Sequence, residues 1–203
     1  MGMAAVTAAV ATLGDAAVAG FGAATRIQTL ALVPMLALSS GIGPVIGQNW
    51  GADRQDRAGG AMRFTFLLCI LYGAALAAVL LLFGDVFAEA IASGEEDAQI
   101  ATTYLHIAGL SLFGYGMMVT ANAAMNARSR ATVSMGLSLG RILLVYIPLA
   151  WALVGVMGFT GIAVAAAVAN VAAALAALVA ARWTGILPLD LPSVPGPSAR
   201  PAE

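Results

Sequence analysis

The residues able to do chemistry are few, and they lie in apolar surroundings. Ser134, Ser138 and Arg141 recur at spacings of four and three, which puts them on one helical face, with Pro148 close to that face. An arginine near the centre of a membrane helix costs about 2.5–3.5 kcal/mol on insertion scales. Arg141 must therefore meet water, backbone carbonyls or a carboxylate, and its stripe either lines a cavity or packs between helices. A second stripe, Ser111, Tyr115, Asn122 and Asn126, falls within a narrow arc at about 100° per residue. It reads as interhelical hydrogen bonding or as a polar cavity wall. His106 lies about two helical turns inside an apolar run. It is either a hydrogen-bonded, partly hydrated histidine or a candidate proton relay, because ionisable groups at such depth are functional candidates.

Three short motifs have chemical readings that their context opposes. Gly41, Gly43 and Gly47 suggest a dinucleotide loop, which needs a preceding strand; here they fall in an apolar helix and read as packing or a bend. Gly114-Tyr115-Gly116 resembles part of a potassium filter, which is a re-entrant loop rather than a full-length span. Gly136–Gly140 matches G-x-S-x-G, but a nucleophile elbow sits between a strand and a helix. An intramembrane serine hydrolase using Ser138 and His106 remains an alternative, without a visible triad partner.

The elements that carry these residues follow from composition. The chain is 61% hydrophobic and 9% charged, with mean hydropathy +0.94. Soluble domains carry about 25% charged residues, so this reads as an integral membrane protein. The near-zero net charge excludes a nucleic-acid binder. No metal site or cofactor is expected. The single cysteine, Cys69, is apolar filler.

A spanning helix needs about 20 apolar residues. Stretches 27–47, 64–84 and 98–127 qualify, and 131–181 must be two helices split in the glycine-rich 155–161 stretch. Met1–Leu13 is too short to cross and reads as the end of a helix whose beginning is missing. Residues 17–26 read as a tilted helical lead-in, and Pro34 as a kink. The expected fold is all-α: a polytopic membrane bundle of five full transmembrane helices plus a truncated first helix, over residues 1–183. The proline-rich 184–203 stretch is expected to be a disordered cytoplasmic tail.

Charge orients the bundle. With alternating helices, Arg54, Arg57, Arg128, Arg130 and Arg182 fall on one side. Asp15, Asp85, Glu89, Glu95, Glu96 and Asp97 fall on the other. The positive-inside rule puts the arginines, and so the C-terminus, in the cytoplasm of a multi-pass protein of the plasma (inner) membrane.

Residues 17–58, "AVAGFGAATRIQTLALVPMLALSSGIGPVIGQNWGADRQDRA", resemble the opening of the second half of the multidrug and toxic compound extrusion (MATE) carriers. Residues 122–153, "NAAMNARSRATVSMGLSLGRILLVYIPLAWAL", are similar to that half's N-A-x-G-[KR]-x-x-x-A…R…P-L-A stretch, with Arg128 where the family usually has glycine. The DinF-like group is the nearer one. The resemblance implies an antiporter exporting organic, often cationic, compounds in exchange for H+ or Na+ by alternating access. It also implies two six-helix bundles, of which this chain would be the C-terminal one. Three departures stand out: no first bundle, a seventh helix cut short, and no intramembrane carboxylate. The ion-binding acid is therefore expected outside this chain. Arg141, Ser138, Ser134, Tyr115, Asn122 and Asn126 are the candidate lining of a substrate cavity, and His106 the candidate proton relay. Expected partners are the lipid bilayer, a small organic substrate, the coupling ion, and a separate N-terminal half or a second copy. A non-transporting fragment or subunit is the other reading.

Overall fold

A computed structural model describes residues 2–187. Among these the structure is helical throughout, without strands. The helices are α1 (Gly2–Ala11), α2 (Asp15–Gly51), α3 (Gln55–Ile91), α4 (Glu95–Gly109), α5 (Leu112–Ala127), α6 (Ala131–Leu139), α7 (Ile147–Met157) and α8 (Phe159–Trp183). A π-helical segment, Gly140–Tyr146, joins α6 to α7 without a turn between them.

Four apolar helices are long enough to cross a bilayer: α2, α3, α6 through α7, and α8. The fifth crossing is α4 with α5, bent by 59° at Leu110–Ser111. The expected span at 98–127 is thus broken, and its polar stripe lies wholly on the α5 side of the break. The expected lead-in at 17–26 is continuous with the helix that follows, because α2 runs unbroken for 37 residues through Pro34 and Pro44. The turn weakened by Pro34 receives outside help, since Tyr72 donates to the Ala31 carbonyl at 2.8 Å. The split between the last two helices falls at Gly158, whose φ of 58° suits glycine.

Short side chains let the helices approach closely. A Cβ on Gly114 would collide with the Asn170 carbonyl of α8, and one on Gly73 would lie 2.5 Å from the Phe113 Cβ. The Gly-Tyr-Gly stretch is therefore a packing surface within a helix. Gly43 and Gly47 lie against Ala123 and Ala127 of α5, in ordinary contact for a small-residue seam. Large apolar side chains such as Leu82, Leu144 and Val156 point outward, as a lipid-facing surface requires.

The turns at the arginine-rich end close by backbone bonds. Arg54 N–H reaches the Asn49 carbonyl at 2.8 Å, with Asp53 at φ 55° between them. After α8 the chain stays packed: Ile186 and Leu187 are buried in the core formed with Met62, Phe66 and Met117. The ordered body thus extends past 184, and the remainder of the expected tail, 188–203, lies outside the described residues.

Candidate functional site

Two irregularities and one polar residue build the site. The first irregularity is the break between α4 and α5, where the Ala108 carbonyl accepts Ser111 N–H at 3.1 Å and the Ser111 hydroxyl at 2.8 Å. With its proton committed, the Ser111 oxygen accepts from Asn170 Nδ2 at 3.1 Å. That bond fixes the Asn170 amide, so its carbonyl oxygen faces Arg141 and accepts from Nη1 at 3.1 Å. A relay therefore runs from a broken span, through the asparagine of an alanine-rich helix, to the arginine.

The second irregularity is the π segment that begins at Gly140, one residue before Arg141. Its wider turn brings Arg141 and Tyr146, five residues apart, to the same cavity. The cavity measures about 310 Å³. Its polar lining is Thr25, Gln28 and Thr29 from α2, Tyr104 from α4, Tyr115 from α5, Arg141 and Tyr146 from the π segment, and Asn170 from α8. Arg141 Cζ lies 5.1 Å from the Tyr115 ring centre, within cation–π range. Tyr104 is held edge-on against Phe21 at 5.3 Å. Among the described residues no carboxylate lines this cavity. Arg141 Nε is buried without a hydrogen-bond partner among the described residues, and the Tyr146 hydroxyl faces that of Tyr104.

Of the residues singled out in the sequence, Arg141 and Tyr115 meet here. Asn122 and Ser138 do not line the cavity; they bond each other at 2.8 Å, nearer the arginine-rich end, joining α5 to α6. Ser134 is buried elsewhere on α6, and Asn126 is exposed at the end of α5. Ser134 and Ser138 are thus not in the lining of the cavity that Arg141 enters. His106 Nε2 lies 3.4 Å from Asp85 Oδ1, near an acid-lined cleft of about 720 Å³ bounded by Asp85, Glu89 and Glu95. Ser138 and His106 thus have separate partners, and no nucleophile–base pair forms. Tyr104, Tyr146 and Asn170 were not legible as site residues from spacing. The lone asparagine among the alanines of α8 was the available signal.

At the opposite end of the bundle from Asp85, Arg128 stacks on Trp50, with Cζ 3.4 Å from the ring centre, and Nη2 donates to the Thr184 carbonyl at 2.8 Å. Burial, and after it the neighbouring Arg130, pulls the Arg128 guanidinium below its ordinary pKa.

A lobe of packed membrane helices, with one broken span and one π-wound span facing a partly open cavity of mixed polar and apolar lining, has the architecture of a membrane transporter. The chain belongs to the MatE family, which matches it over residues 1–152. The Vibrio cholerae MATE transporter VcmN in its bent form superposes with a TM-score of 0.87 at 27% identity, covering 91% of this chain and 42% of that one. An outward-facing multidrug resistance MATE transporter superposes with a TM-score of 0.85 at 20% identity, over 91% and 42%. A protein described as an FAD transporter from Shewanella oneidensis is 28% identical over 145 residues, 71% of this chain and 32% of that protein. The chain thus spans about two fifths of the solved carriers and one third of this relative. These are transporters, and the hydrolase alternative falls with the missing Ser138–His106 pair.

Proposed function

We propose that the chain is the C-terminal lobe of a secondary carrier that exports small organic compounds by alternating access, in exchange for H+ or Na+. The observation that carries this reading is the Arg141–Asn170–Ser111 relay beside the cavity. In secondary transporters, discontinuous helices near the midplane form the substrate site, because their irregular backbone is tolerated only where it faces protein or a cavity. Here a broken span and a π-wound span meet at the same point. The cavity is this lobe's share of the substrate site.

The acid that binds the coupling ion lies outside this lobe's cavity, which has no carboxylate in its lining. His106 with Asp85 is the candidate relay between that ion and the outer solution. The arginine-bearing turns face the cytoplasm, by the positive-inside rule. The relative described as an FAD transporter makes flavins the first compounds to assay.

The test is flavin efflux from cells expressing the carrier, with Arg141→Ala at matched membrane abundance. The expected result is loss of at least about tenfold in efflux rate, as for loss of a charged hydrogen-bonding group. Unchanged efflux in the variant overturns the reading.

A further inference from the structure

We infer that the Arg141 cavity takes the oxyanion, carboxylate or phosphate, of an anionic organic compound, in place of the organic cation that the family resemblance implies. The inference rests on the reading of this cavity as the lobe's share of the substrate site. It starts from what the lining lacks. Arg141 brings a fixed positive charge with five N–H groups, and among the described residues one of them, on Nη1, has an acceptor, Asn170. Arg141 Nε is buried without a partner among the described residues, and Arg141 lines the cavity.

The unmet donor and the fixed positive charge of Arg141 together favour an acceptor that carries negative charge. A guanidinium presents its N–H groups as a planar fork that matches a carboxylate or phosphate two-fold. An organic cation in the same place would meet a like charge, and the lining contains no carboxylate to offset it. Asn170 offers a cation only a neutral amide oxygen that already accepts from Arg141. The rings of Tyr104, Tyr115 and Tyr146 give the rest of the ligand an aromatic wall, so a planar body with one anionic group fits this lining.

FMN and riboflavin separate the charge from the body, since they share one fluorescent ring and differ by a phosphate. Their fluorescence anisotropy would be titrated with the purified chain in detergent, against empty micelles, with ethidium as the cationic probe. FMN is expected to bind at least about tenfold more tightly than riboflavin. Arg141→Gln is expected to bring the two within about twofold. In case Arg141→Gln fails to fold, the wild-type chain provides its own check: inorganic phosphate competes FMN off and leaves riboflavin unaffected. Equal binding of FMN and riboflavin overturns the inference, as does ethidium binding in preference to both, or FMN binding that phosphate does not reverse. Those outcomes leave the transport reading standing if efflux still depends on Arg141. FMN binding with efflux indifferent to Arg141 sinks the transport reading alone.

Discussion

Arg128 shows how much one side chain does where the helices end. The family stretch that its neighbourhood resembles usually carries glycine at this position. Here a guanidinium lies on the Trp50 ring at 3.4 Å and donates to the Thr184 carbonyl, tying the end of α2, the α5–α6 turn and the end of α8. Among the described residues Arg128 Nε and Nη1 are buried without acceptors, so contact with the ring is what offsets their loss of water. Cation–π contacts contribute about 0.5–1 kcal/mol when exposed and about 2 kcal/mol when desolvated. We predict that Arg128→Gly and Trp50→Ala each lower stability, and that their double-mutant cycle gives a coupling of about 1–2 kcal/mol by denaturant unfolding in detergent. A coupling of zero would mean that the stacking contributes nothing. Arg128 read in the sequence as one of the arginines that orient the bundle, and Trp50 lies in the family-like stretch 17–58. Their contact was not legible, because it depends on how three helix ends converge, and neither residue type nor spacing encodes that. Asn170 is the opposite case. It is the one polar side chain of the alanine-rich stretch 163–181, and a buried amide in such a helix must find partners, although the sequence does not say which.

At the scale of the element, the site exists because two helices are irregular. Positions 141 and 146 would diverge by about 140° on a regular α-helix. The π segment closes that gap, and its end coincides with Pro148. Ile147 N–H still reaches five residues back, to the Ile142 carbonyl, and the next residue has no N–H to place. The return to α-helical register therefore happens where a donor is missing anyway. Pro148→Ala supplies that donor and lets the segment rewind, turning Arg141 away from Tyr146. We predict that this variant is as stable as the parent or more so, yet binds FMN at least about tenfold more weakly. Intact binding in a folded Pro148→Ala chain would show that the π segment does not position the arginine. The sequence did disclose the number of crossings, because a window of apolar residues reports burial in lipid irrespective of partners. It did not disclose the bend at Leu110–Ser111. That bend has no proline, and the Ser111 hydroxyl that occupies it bonds across to Asn170, 59 positions away. Nor could hydropathy show that α2 and α3 each run for 37 residues, since their polar ends look like loops until neighbouring helices pack on them.

For the whole molecule, the segregation of charge between the two ends is the property on which orientation depends. Trp50, Arg128 and Thr184 touch one another's residues at one end, so the α2–α3 turn, the α5–α6 turn and the end of α8 share a side. Asp85, Glu89 and Glu95 line one cleft at the other end. An odd number of crossings separates the start of α2 from the end of α8, which agrees with Asp15 and Arg182 lying at opposite ends. The native thiol makes this testable without a cysteine-free background. Cys69 is fully buried, its sulfur 4.0 Å from the Thr120 hydroxyl oxygen, so an impermeant maleimide has no access to it in the folded chain. A second cysteine then reports its own side. We predict that Glu95→Cys, at the first residue of α4, is labelled in intact cells. Arg57→Cys, beside the α2–α3 turn, and Ser129→Cys, between α5 and α6, are predicted to react only after the membrane is opened. Labelling of position 57 from outside, with position 95 protected, would invert the bundle. The arginine-bearing turns would then face the outer solution, against the positive-inside rule. The Arg141 cavity would keep its chemistry, but the direction in which alternating access moves its anion would reverse.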